Sequence, residues 1–383
     1  MSFELPKEVL DYLESSFDET LELLEELCKI PAPSGHEKAR AEFCKKWLED
    51  NGARGVDIDS ALNVVYPVGC DGSDDIVVFM AHTDTVFPDK EYPMPYRCDG
   101  EYIYSPGVAD DTVCVVMMLM VARYIAQKNL KPARGILFVA NSCEEGLGNL
   151  KGVKQIMQDY AGRISEVYTF DERYDQLVNV CVGSHRYRVT FETEGGHSFT
   201  AFGNKSAIEA MSEFICRLYR KEVPVIDGSK TTYNVGMVEG GTSVNTIAQS
   251  ASMMYEYRSD SRECLAEMQA FFEGETEKIR AEGKAKITVE TVGVRPCSGS
   301  VDENKLNEMT ERVKTICEKH SGMDCGIKSA STDCNIPMSM GIPAVCAGVY
   351  LGGGTHTREE YLEIASVPIG LKVAAELILE YFL

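Results

Sequence analysis

The chain has 383 residues, enough for two domains, and an ordinary globular composition of 44% hydrophobic and 26% charged residues. The formal net charge of −22 repels phosphate groups, which excludes nucleic acid and anionic membrane surfaces as expected partners. No apolar run approaches the roughly 20 residues that span a bilayer, and residues 1–6 do not resemble a secretion signal, so we expect a cytoplasmic protein.

The first predicted elements are helices. Leu and Phe recur at helical spacing through residues 12–30, and the Pro- and Gly-containing segment 30–35 ends this helix. A second helix is predicted over residues 36–51, with Gly52 as its stop.

Strands and helices then alternate along the chain. Short apolar runs at 75–80, 135–140 and 167–170 are typical of fully buried strands, and the Val- and Met-rich segment 110–127 has helical spacing. This alternation is typical of a mostly parallel sheet that helices cover on both faces. We therefore predict an α/β catalytic domain.

The pattern changes near Gly183. Two helices are predicted there, at 206–220 and 262–282, together with half-exposed strands at 186–194, 231–238, 250–257 and 286–292. Strands with one solvated face and two helices indicate a smaller α+β domain. Strands and helices alternate again after this region. We therefore predict that residues 184–293 are inserted into a catalytic domain made of residues 1–183 and 294–383.

Ionisable side chains stand directly after the predicted buried strands or in the loops that connect these strands to the next elements. These side chains are His82, Asp84, Asp110, Glu144, Glu145, Asp171 and His356. Ligands bind beyond the carboxyl ends of parallel strands, so we expect these groups at one rim. Their mutual repulsion would be compensated by cations, and imidazole with carboxylate favours Zn²⁺, Mn²⁺ or Co²⁺ over Mg²⁺ or Ca²⁺.

Each of these signals has an ordinary structural explanation when taken alone. A His beside a strand is commonly a hydrogen-bonded structural residue. Two Asp residues before a helix commonly cap it, and Glu-Glu-Gly is commonly a solvated turn. The joint occurrence at one predicted rim is what favours a metal site.

The sequence resembles the co-catalytic metallopeptidase family that includes peptidase T, carboxypeptidase G, acetylornithine deacetylase and succinyl-diaminopimelate desuccinylase. The motifs that match run in family order over nearly the whole chain: His82-x-Asp84, Gly107-x-x-Asp110-Asp111, Glu144-Glu145-Gly146, Asp171, Gly195-Gly196-His197-Ser198, Gly240-Gly241-Thr242-x-x-Asn245, Arg258 and His356-Thr357. The resemblance implies a hydrolase of amide bonds with two divalent metal ions, expected to be Zn²⁺. It also implies a homodimer formed through the inserted domain.

The resemblance assigns five residues to the metal ions. Asp110 would bridge the two ions. His82 and Asp171 would complete one site, and Glu145 and His356 the other.

The resemblance also implies catalytic and substrate-binding roles. Asp84 would orient the His82 imidazole, and Glu144 would carry a proton from the attacking water to the leaving nitrogen. His197 would reach the active site of a partner subunit and stabilise the oxyanion. The residues expected to contact the substrate are Asn245, Arg258 and Gly353.

The substrate class is indicated by Asp171. In the family, Asp at this position accompanies peptidases that act at a free amino terminus, whereas Glu accompanies carboxypeptidases and deacylases. We therefore predict an aminopeptidase of the di- or tripeptidase type, closest to the peptidase T-like members. Nearby acids, including Glu172, Asp175 and Asp333, favour a substrate ammonium group, although Glu172 or Asp175 could replace Asp171 as a ligand. Arg173-Tyr174 stands where peptidase T has small residues, which argues against tripeptides specifically.

Three alternatives stay open. The first is a deacylase of N-acyl amino acids on the same scaffold. The second is an inactive metal-binding scaffold, which would lack the base or a ligand, whereas all of these residues are present. The third is a cysteine hydrolase through Cys143, for which no His stands at a matching spacing.

Overall fold

The computed structural model describes residues 3–383, which divide into two units. The first unit is formed by the described residues up to Val180 together with Gly299–Leu383, and the second unit is Cys181–Ser298. Each unit has a hydrophobic core of its own. Within residues 3–383, none of the helices combines the length and apolar character needed to cross a lipid bilayer.

An eight-stranded sheet forms the centre of the first unit. Its strands, in order across the sheet, are Asp57–Ile58, Val64–Val68, Gly135–Asn141, Ile76–His82, Ile164–Arg173, Ala344–Tyr350, Gln176–Cys181 and Gly326–Ala330. The third to sixth of these run parallel to one another. The second and seventh pair antiparallel with that group. The prediction of a mostly parallel sheet is confirmed.

The middle strands are buried on both faces, which explains their unbroken apolar sequences. Every residue of Ile76–His82 is buried. Val77 and Phe79 join the main core, while Val78 and Met80 alternate with them and are equally buried.

Eight α-helices of the first unit surround this sheet among the described residues. They are Lys7–Ser15, Phe17–Lys29, Lys38–Asp50, Val113–Lys128, Lys151–Asp159, Glu303–Ser321, Asn335–Ser339 and Val367–Leu379. The helix Val113–Lys128 is apolar nearly all round because it packs against the strand Ile76–His82 on one side and the helix Val367–Leu379 on another.

Two predicted helix boundaries are corrected. The helix predicted over residues 12–30 is two helices that meet at Ser16, whose buried hydroxyl accepts a hydrogen bond from Arg123 Nη2 at 3.0 Å. The helix predicted from residue 110 begins at Val113, because Asp110 (φ −117°, ψ 91°) and Asp111 are not helical. Both acids therefore lie in a loop, where their orientation is independent of a helix axis.

A smaller antiparallel sheet links two loops of the first unit. Its strands, in order, are Gly352–Gly353, Tyr361–Glu363, Tyr102–Tyr104 and Arg97–Cys98. Short helical turns lie at Gly146–Gly148 and Ile364–Ser366. This sheet holds the segment before Gly107 beside the segment that follows His356.

The second unit is an antiparallel sheet with two helices. Its strands, in order, are Thr231–Gly240, Ser250–Ser259, Gly183–Glu192 and Lys286–Arg295, its helices are Ala207–Leu218 and Arg262–Ala281, and a short pair joins Gly196–His197 to Thr246–Ile247. Met253, Tyr255 and Tyr257 alternate along one strand and are buried in this unit's core. The hydroxyls of Ser206 and Ser261 cap the two helices. The alternating sequence pattern therefore corresponds to a sheet with one covered face.

Candidate metal centre

The carboxyl ends of the parallel strands, with the loops that follow them, carry the candidate ligands. His82 is the last residue of its strand, and Asp171 lies near the end of the neighbouring strand. Glu145 follows the strand Gly135–Asn141, and His356 follows Ala344–Tyr350. This is the edge at which parallel sheets bind ligands.

The Asp110 carboxylate lies between two imidazoles. Its Oδ1 is 3.0 Å from Nε2 of His82, and its Oδ2 is 3.1 Å from Nε2 of His356. The His82 Nε2 also lies 3.8 Å from Asp171 Oδ1, and the His356 Nε2 lies 3.0 Å from Glu145 Oε1. Two clusters therefore share Asp110, and within each the potential ligand atoms lie within 4.8 Å of one another. We call His82, Asp110 and Asp171 the first cluster, and Asp110, Glu145 and His356 the second.

The electrostatics of both clusters fit divalent cations. Burial, reinforced by Asp110, raises the pKa of Asp171 well above its usual value and that of Glu145 to about 7. Hydrogen bonds to Asp110 and Glu145 raise the pKa of His356 to about 10. Bound cations would stabilise the charged form of carboxylates crowded in this way, and each cluster offers one imidazole nitrogen and two carboxylates. That donor set suits Zn²⁺, Mn²⁺ or Co²⁺.

Asp84 contacts both the His82 imidazole and the loop that contains Glu144 and Glu145. It lies just beyond the strand that ends at His82, and it is fully buried. Its Oδ1 accepts the Glu144 N–H at 2.9 Å, and its Oδ2 accepts the Glu145 N–H at 3.0 Å and the Ser34 hydroxyl at 2.6 Å. The His82 Nδ1 is 3.1 Å from the Asp84 carbonyl oxygen and 3.5 Å from its carboxylate. Asp84 thus touches His82 and holds the two successive glutamates.

Glu144 is a buried acid that belongs to neither cluster. Its charge adds to burial and to other acids in raising the pKa of Asp171 and Glu145, so its carboxylate lies within electrostatic reach of both clusters. Glu144 is therefore an acid close to both clusters that is not one of their grouped side chains.

Three buried residues support the site in ways that the sequence interpretation did not predict: it included Asp111 only as part of a motif, and it missed Glu37 and Glu360. Asp111 Oδ2 accepts the His82 N–H at 2.8 Å, so this Asp is a partner of the strand end and does not cap a helix. Glu37 Oε1 accepts the Cys143 N–H at 3.1 Å. Glu360 accepts backbone N–H groups from the loop that carries Asp110.

Arg40 is a further missed residue, and it is 2% exposed. Its Nη1 donates to the Thr83 carbonyl at 2.9 Å and to the Thr112 hydroxyl at 3.0 Å. It therefore ties the strand end to the loop beside Asp110. The sequence contains no clear signal for such roles, because Glu37 and Arg40 belong to a charged segment that resembles a solvated helix face.

Glu172 and Asp175 are already paired. Lys328 Nζ lies 2.7 Å from Glu172, and the Arg173 guanidinium binds both carboxylate oxygens of Asp175, at 3.1 and 3.0 Å. Asp171 is the carboxylate that lies with His82 and Asp110. The negative charges of Glu172 and Asp175 are thus partly compensated by Lys328 and Arg173, which weakens their support for a substrate ammonium group.

Asp333 and Gly353 occupy enclosed positions in the first unit. Asp333 accepts a hydrogen bond from Asn141 Nδ2 at 2.6 Å, and burial, reinforced by Glu144, raises its pKa to about 7. Gly353 is half-buried beside Tyr361, whose hydroxyl would lie 2.9 Å from a Cβ at this position. A larger residue would therefore displace the Tyr361 ring.

The remaining candidate residues belong to the second unit. His197 is exposed, and its Nδ1 accepts the Phe199 N–H at 3.2 Å, so the neutral imidazole carries its proton on Nε2. Asn245 contacts the same turn through its main-chain carbonyl oxygen, which accepts a hydrogen bond from the Ser198 N–H at 2.9 Å. The half-exposed Arg258 has its Nε 3.1 Å from Oε1 of Glu256, which lies two residues earlier on the same strand.

Cys143 does not have the properties of a catalytic nucleophile. It is buried, and burial reinforced by Glu37 raises the pKa of its thiol to about 12. Nucleophilic cysteines instead require a lowered pKa. The cysteine hydrolase alternative is therefore disfavoured.

Comparisons with known proteins agree with this geometry. A sequence profile of peptidase family M20/M25/M40 matches residues 78–380. The solved structure of a tripeptidase from Staphylococcus aureus superposes with a TM-score of 0.73 at 23% identity, covering 94% of this chain and 97% of that one.

Curated relatives also match by sequence, including the two that follow. A probable carboxypeptidase of Ajellomyces capsulatus is 25% identical over 259 residues, covering 61% of this chain and 59% of that protein. The match therefore spans well under two thirds of that relative's length. The succinyl-diaminopimelate desuccinylase of Corynebacterium glutamicum is 24% identical over 356 residues, covering 90% of this chain and 92% of that protein.

Proposed function

Because the chain belongs to peptidase family M20/M25/M40 and is a hydrolase of that family, we propose that it cleaves amide bonds of small peptides with a free amino terminus. The observation that carries the proposal is the Asp110 carboxylate between the imidazoles of His82 and His356. This arrangement is what a pair of metal ions bridged by one carboxylate requires.

The five residues of the two clusters would hold two divalent ions, with Zn²⁺ as the expected metal and Mn²⁺ or Co²⁺ as alternatives. Bound ions would lower the pKa of the attacking water and polarise the scissile carbonyl. The remaining steps belong to side chains of the protein.

Glu144 is proposed as the general base. It would take a proton from the attacking water and return it to the leaving nitrogen. Two observations support this role: Glu144 is buried beside both clusters, and Asp84 holds its backbone N–H at 2.9 Å. A base fixed in this way loses little entropy on reaching the reactive geometry.

His197 is proposed to stabilise the oxyanion from a partner subunit. Support comes from its Nε2, which carries the proton of the neutral ring because Nδ1 accepts a backbone hydrogen bond. Arg258 and Asn245 are proposed to bind the substrate carboxylate, and the Glu256 carboxylate would pre-orient the Arg258 guanidinium. Gly353 is proposed to line the pocket. The role proposed for His197 requires a homodimer.

The preference for a free amino terminus rests on Asp171, the residue that accompanies amino-terminal cleavage in the family. The fold similarity to the Staphylococcus aureus tripeptidase is compatible with it. The competing deacylase function has its own support, because the desuccinylase relative matches along 90% of this chain.

A turnover assay of the purified protein with added Zn²⁺, Mn²⁺ or Co²⁺ separates these functions. The substrates are free di- and tripeptides, the same peptides N-acetylated, and N-acetyl amino acids. Cleavage of only the free-amine peptides is the expected result. Faster cleavage of the acylated compounds would make the protein a deacylase that uses the same metal centre. Two bound metal ions without turnover of any substrate would indicate an inactive scaffold.

A further inference from the structure

The Glu360 carboxylate accepts hydrogen bonds from three backbone N–H groups of the loop that carries Asp110. Its Oε1 accepts the N–H of Ala109 at 2.8 Å and of Asp110 at 2.9 Å, and its Oε2 accepts the N–H of Gly107 at 3.0 Å. The Glu360 side chain is 1% exposed. A buried carboxylate that accepts three hydrogen bonds is rigidly held, and it holds its donors in turn.

The loop needs such a partner because its backbone is irregular. Asp110 precedes the helix that begins at Val113, so its N–H has no acceptor within that helix. Gly107 has φ +76°, and a Cβ there would lie 2.4 Å from Thr85 Cγ2, so the chain turns sharply against a neighbouring residue. Glu360 fills the inside of this turn and supplies the acceptor that its N–H groups lack.

Glu360 also belongs to the segment that carries His356. The backbone N–H of Glu360 bonds the Thr357 carbonyl at 3.4 Å, and the Glu360 carbonyl accepts the Ser105 N–H at 3.3 Å. The His356 side chain is 53% exposed, so packing against neighbours contributes little to its position. Apart from its contacts with Asp110 and Glu145, its position is set by the backbone of its own segment.

We propose that Glu360 is a positioning residue that sets Asp110 and His356 relative to each other, and so builds the second cluster. This inference rests on the proposed metal-dependent function, but it concerns a residue that contacts no substrate. Two of the three ligands of the second cluster lie on segments joined by Glu360. In the first cluster, His82 and Asp171 lie on strands of the central sheet, and only Asp110 depends on Glu360.

The expected consequence is an unequal loss of metal affinity. Without the Glu360 carboxylate, the second cluster loses the alignment of two ligands, whereas the first cluster loses that of one. Outer partners of metal ligands typically change affinity about 10–100-fold. We expect metal affinity to fall by a factor in this range at the second cluster and by a smaller factor at the first cluster.

The test is a titration of metal-free protein with Zn²⁺ and with Co²⁺ against a chromophoric chelator. The variants are Glu360→Ala and Glu360→Gln, and Glu359→Gln is the matched control, because Glu359 is the exposed acid one residue earlier. We expect Glu359→Gln to bind as the wild type does. Glu360→Gln should lie between the wild type and Glu360→Ala, since one oxygen acceptor remains.

Two further readouts separate positioning from general stability. The Co²⁺ absorption spectrum of the variants should change at the weakened site, and the Tm of the metal-free proteins measures folding independently. The proposal would be overturned if Glu360→Ala kept the metal affinities and the Co²⁺ spectrum of the wild type. It would also be overturned if both sites lost affinity equally and the loss were explained by a lower Tm of the metal-free protein. If Glu360→Ala does not fold, the same criteria apply to Glu360→Gln. A wild-type protein that binds two ions but cleaves no peptide would contradict the proposed function, whereas the metal titration would still decide the role of Glu360.

Discussion

The Asp84 carboxylate accepts the backbone N–H of Glu144 at 2.9 Å, while the same residue lies against the His82 imidazole. One buried acid therefore connects a candidate metal ligand to the candidate base. The other carboxylate oxygen accepts the N–H of Glu145, a member of the second cluster. Asp84 is thus placed to set the distance between the ligands and the base.

Replacing Asp84 by Asn tests this connection. The introduced amide nitrogen would face a backbone N–H where a carboxylate oxygen now accepts one, so the loop of Glu144 and Glu145 should shift. We expect metal affinity to fall about 10–100-fold, together with turnover. Chelator competition measures the affinity, and Asp71→Asn, at an exposed Asp, is the control. Unchanged affinity and turnover would refute the role of Asp84.

Replacing Glu144 by Gln tests the proton transfer. Gln has nearly the same shape but cannot accept the proton, so turnover should fall about 10²–10⁴-fold. Metal content should stay near two ions per chain, because Glu144 belongs to neither cluster. Elemental analysis and steady-state kinetics give the two quantities. Full activity in this variant would exclude Glu144 as the base.

Replacing His197 by Ala tests action across subunits. Turnover should fall about 10²-fold or more because an oxyanion donor is lost, while metal content stays unchanged. Heterodimers of His197→Ala with the metal-deficient Asp110→Ala variant should regain partial activity, since one site then contains both an intact metal centre and an intact His. Verified heterodimers without any recovery would show that His197 does not act on a partner's site.

Glu166 makes stability depend on acidic pH. Burial alone would raise its pKa, but hydrogen bonds from Arg134, Lys305 and Tyr381 hold the pKa below its usual value. Tyr381 donates at 2.9 Å, and Lys305 Nζ lies 2.9 Å away. A carboxyl whose pKa is lower in the folded state stabilises the fold above its unfolded pKa, and this stability is lost as pH falls through the folded value.

Glu166→Gln should therefore lower the free energy of unfolding at pH 7 by about 2 kcal/mol. The difference from the wild type should shrink as the pH falls below 4.5, the ordinary pKa of a Glu carboxyl, because the unfolded wild-type chain then takes up a proton before the folded chain does. Urea unfolding across this range measures it, with the exposed Glu308 replaced by Gln as the control. A difference that is constant with pH would contradict the assignment.

The order of elements and the identity of the candidate ligands could be predicted from the sequence. The strand Ile76–His82 is buried on both faces, so its apolar run is unbroken, and His82 stands out at its end. The Gly-containing and acidic segments that follow the other strands can be recognised in the sequence in the same way. Parallel strands direct their carboxyl ends to one edge, so the expectation that these groups meet needs only local patterns and one topological rule.

The break at Ser16 and the late start of the helix at Val113 could not be predicted in this way. Both depend on contacts with distant parts of the chain or on loop geometry: Arg123 bonds Ser16, and Asp110 is held out of the helix by a loop that Glu360 fills. Local spacing has the same helical period on either side of such a break.

The sequence by itself determined which side chains could bind metal, because residue type and position after a strand are properties of the chain. Only the tertiary structure decided which charged groups are buried and with whom they pair. Glu359 and Glu360 are adjacent and chemically identical, yet one is exposed and the other accepts three N–H groups. Likewise, the fold pairs Glu172 with Lys328 and Asp175 with Arg173. Burial and pairing are long-range properties, set by which segments the fold brings together.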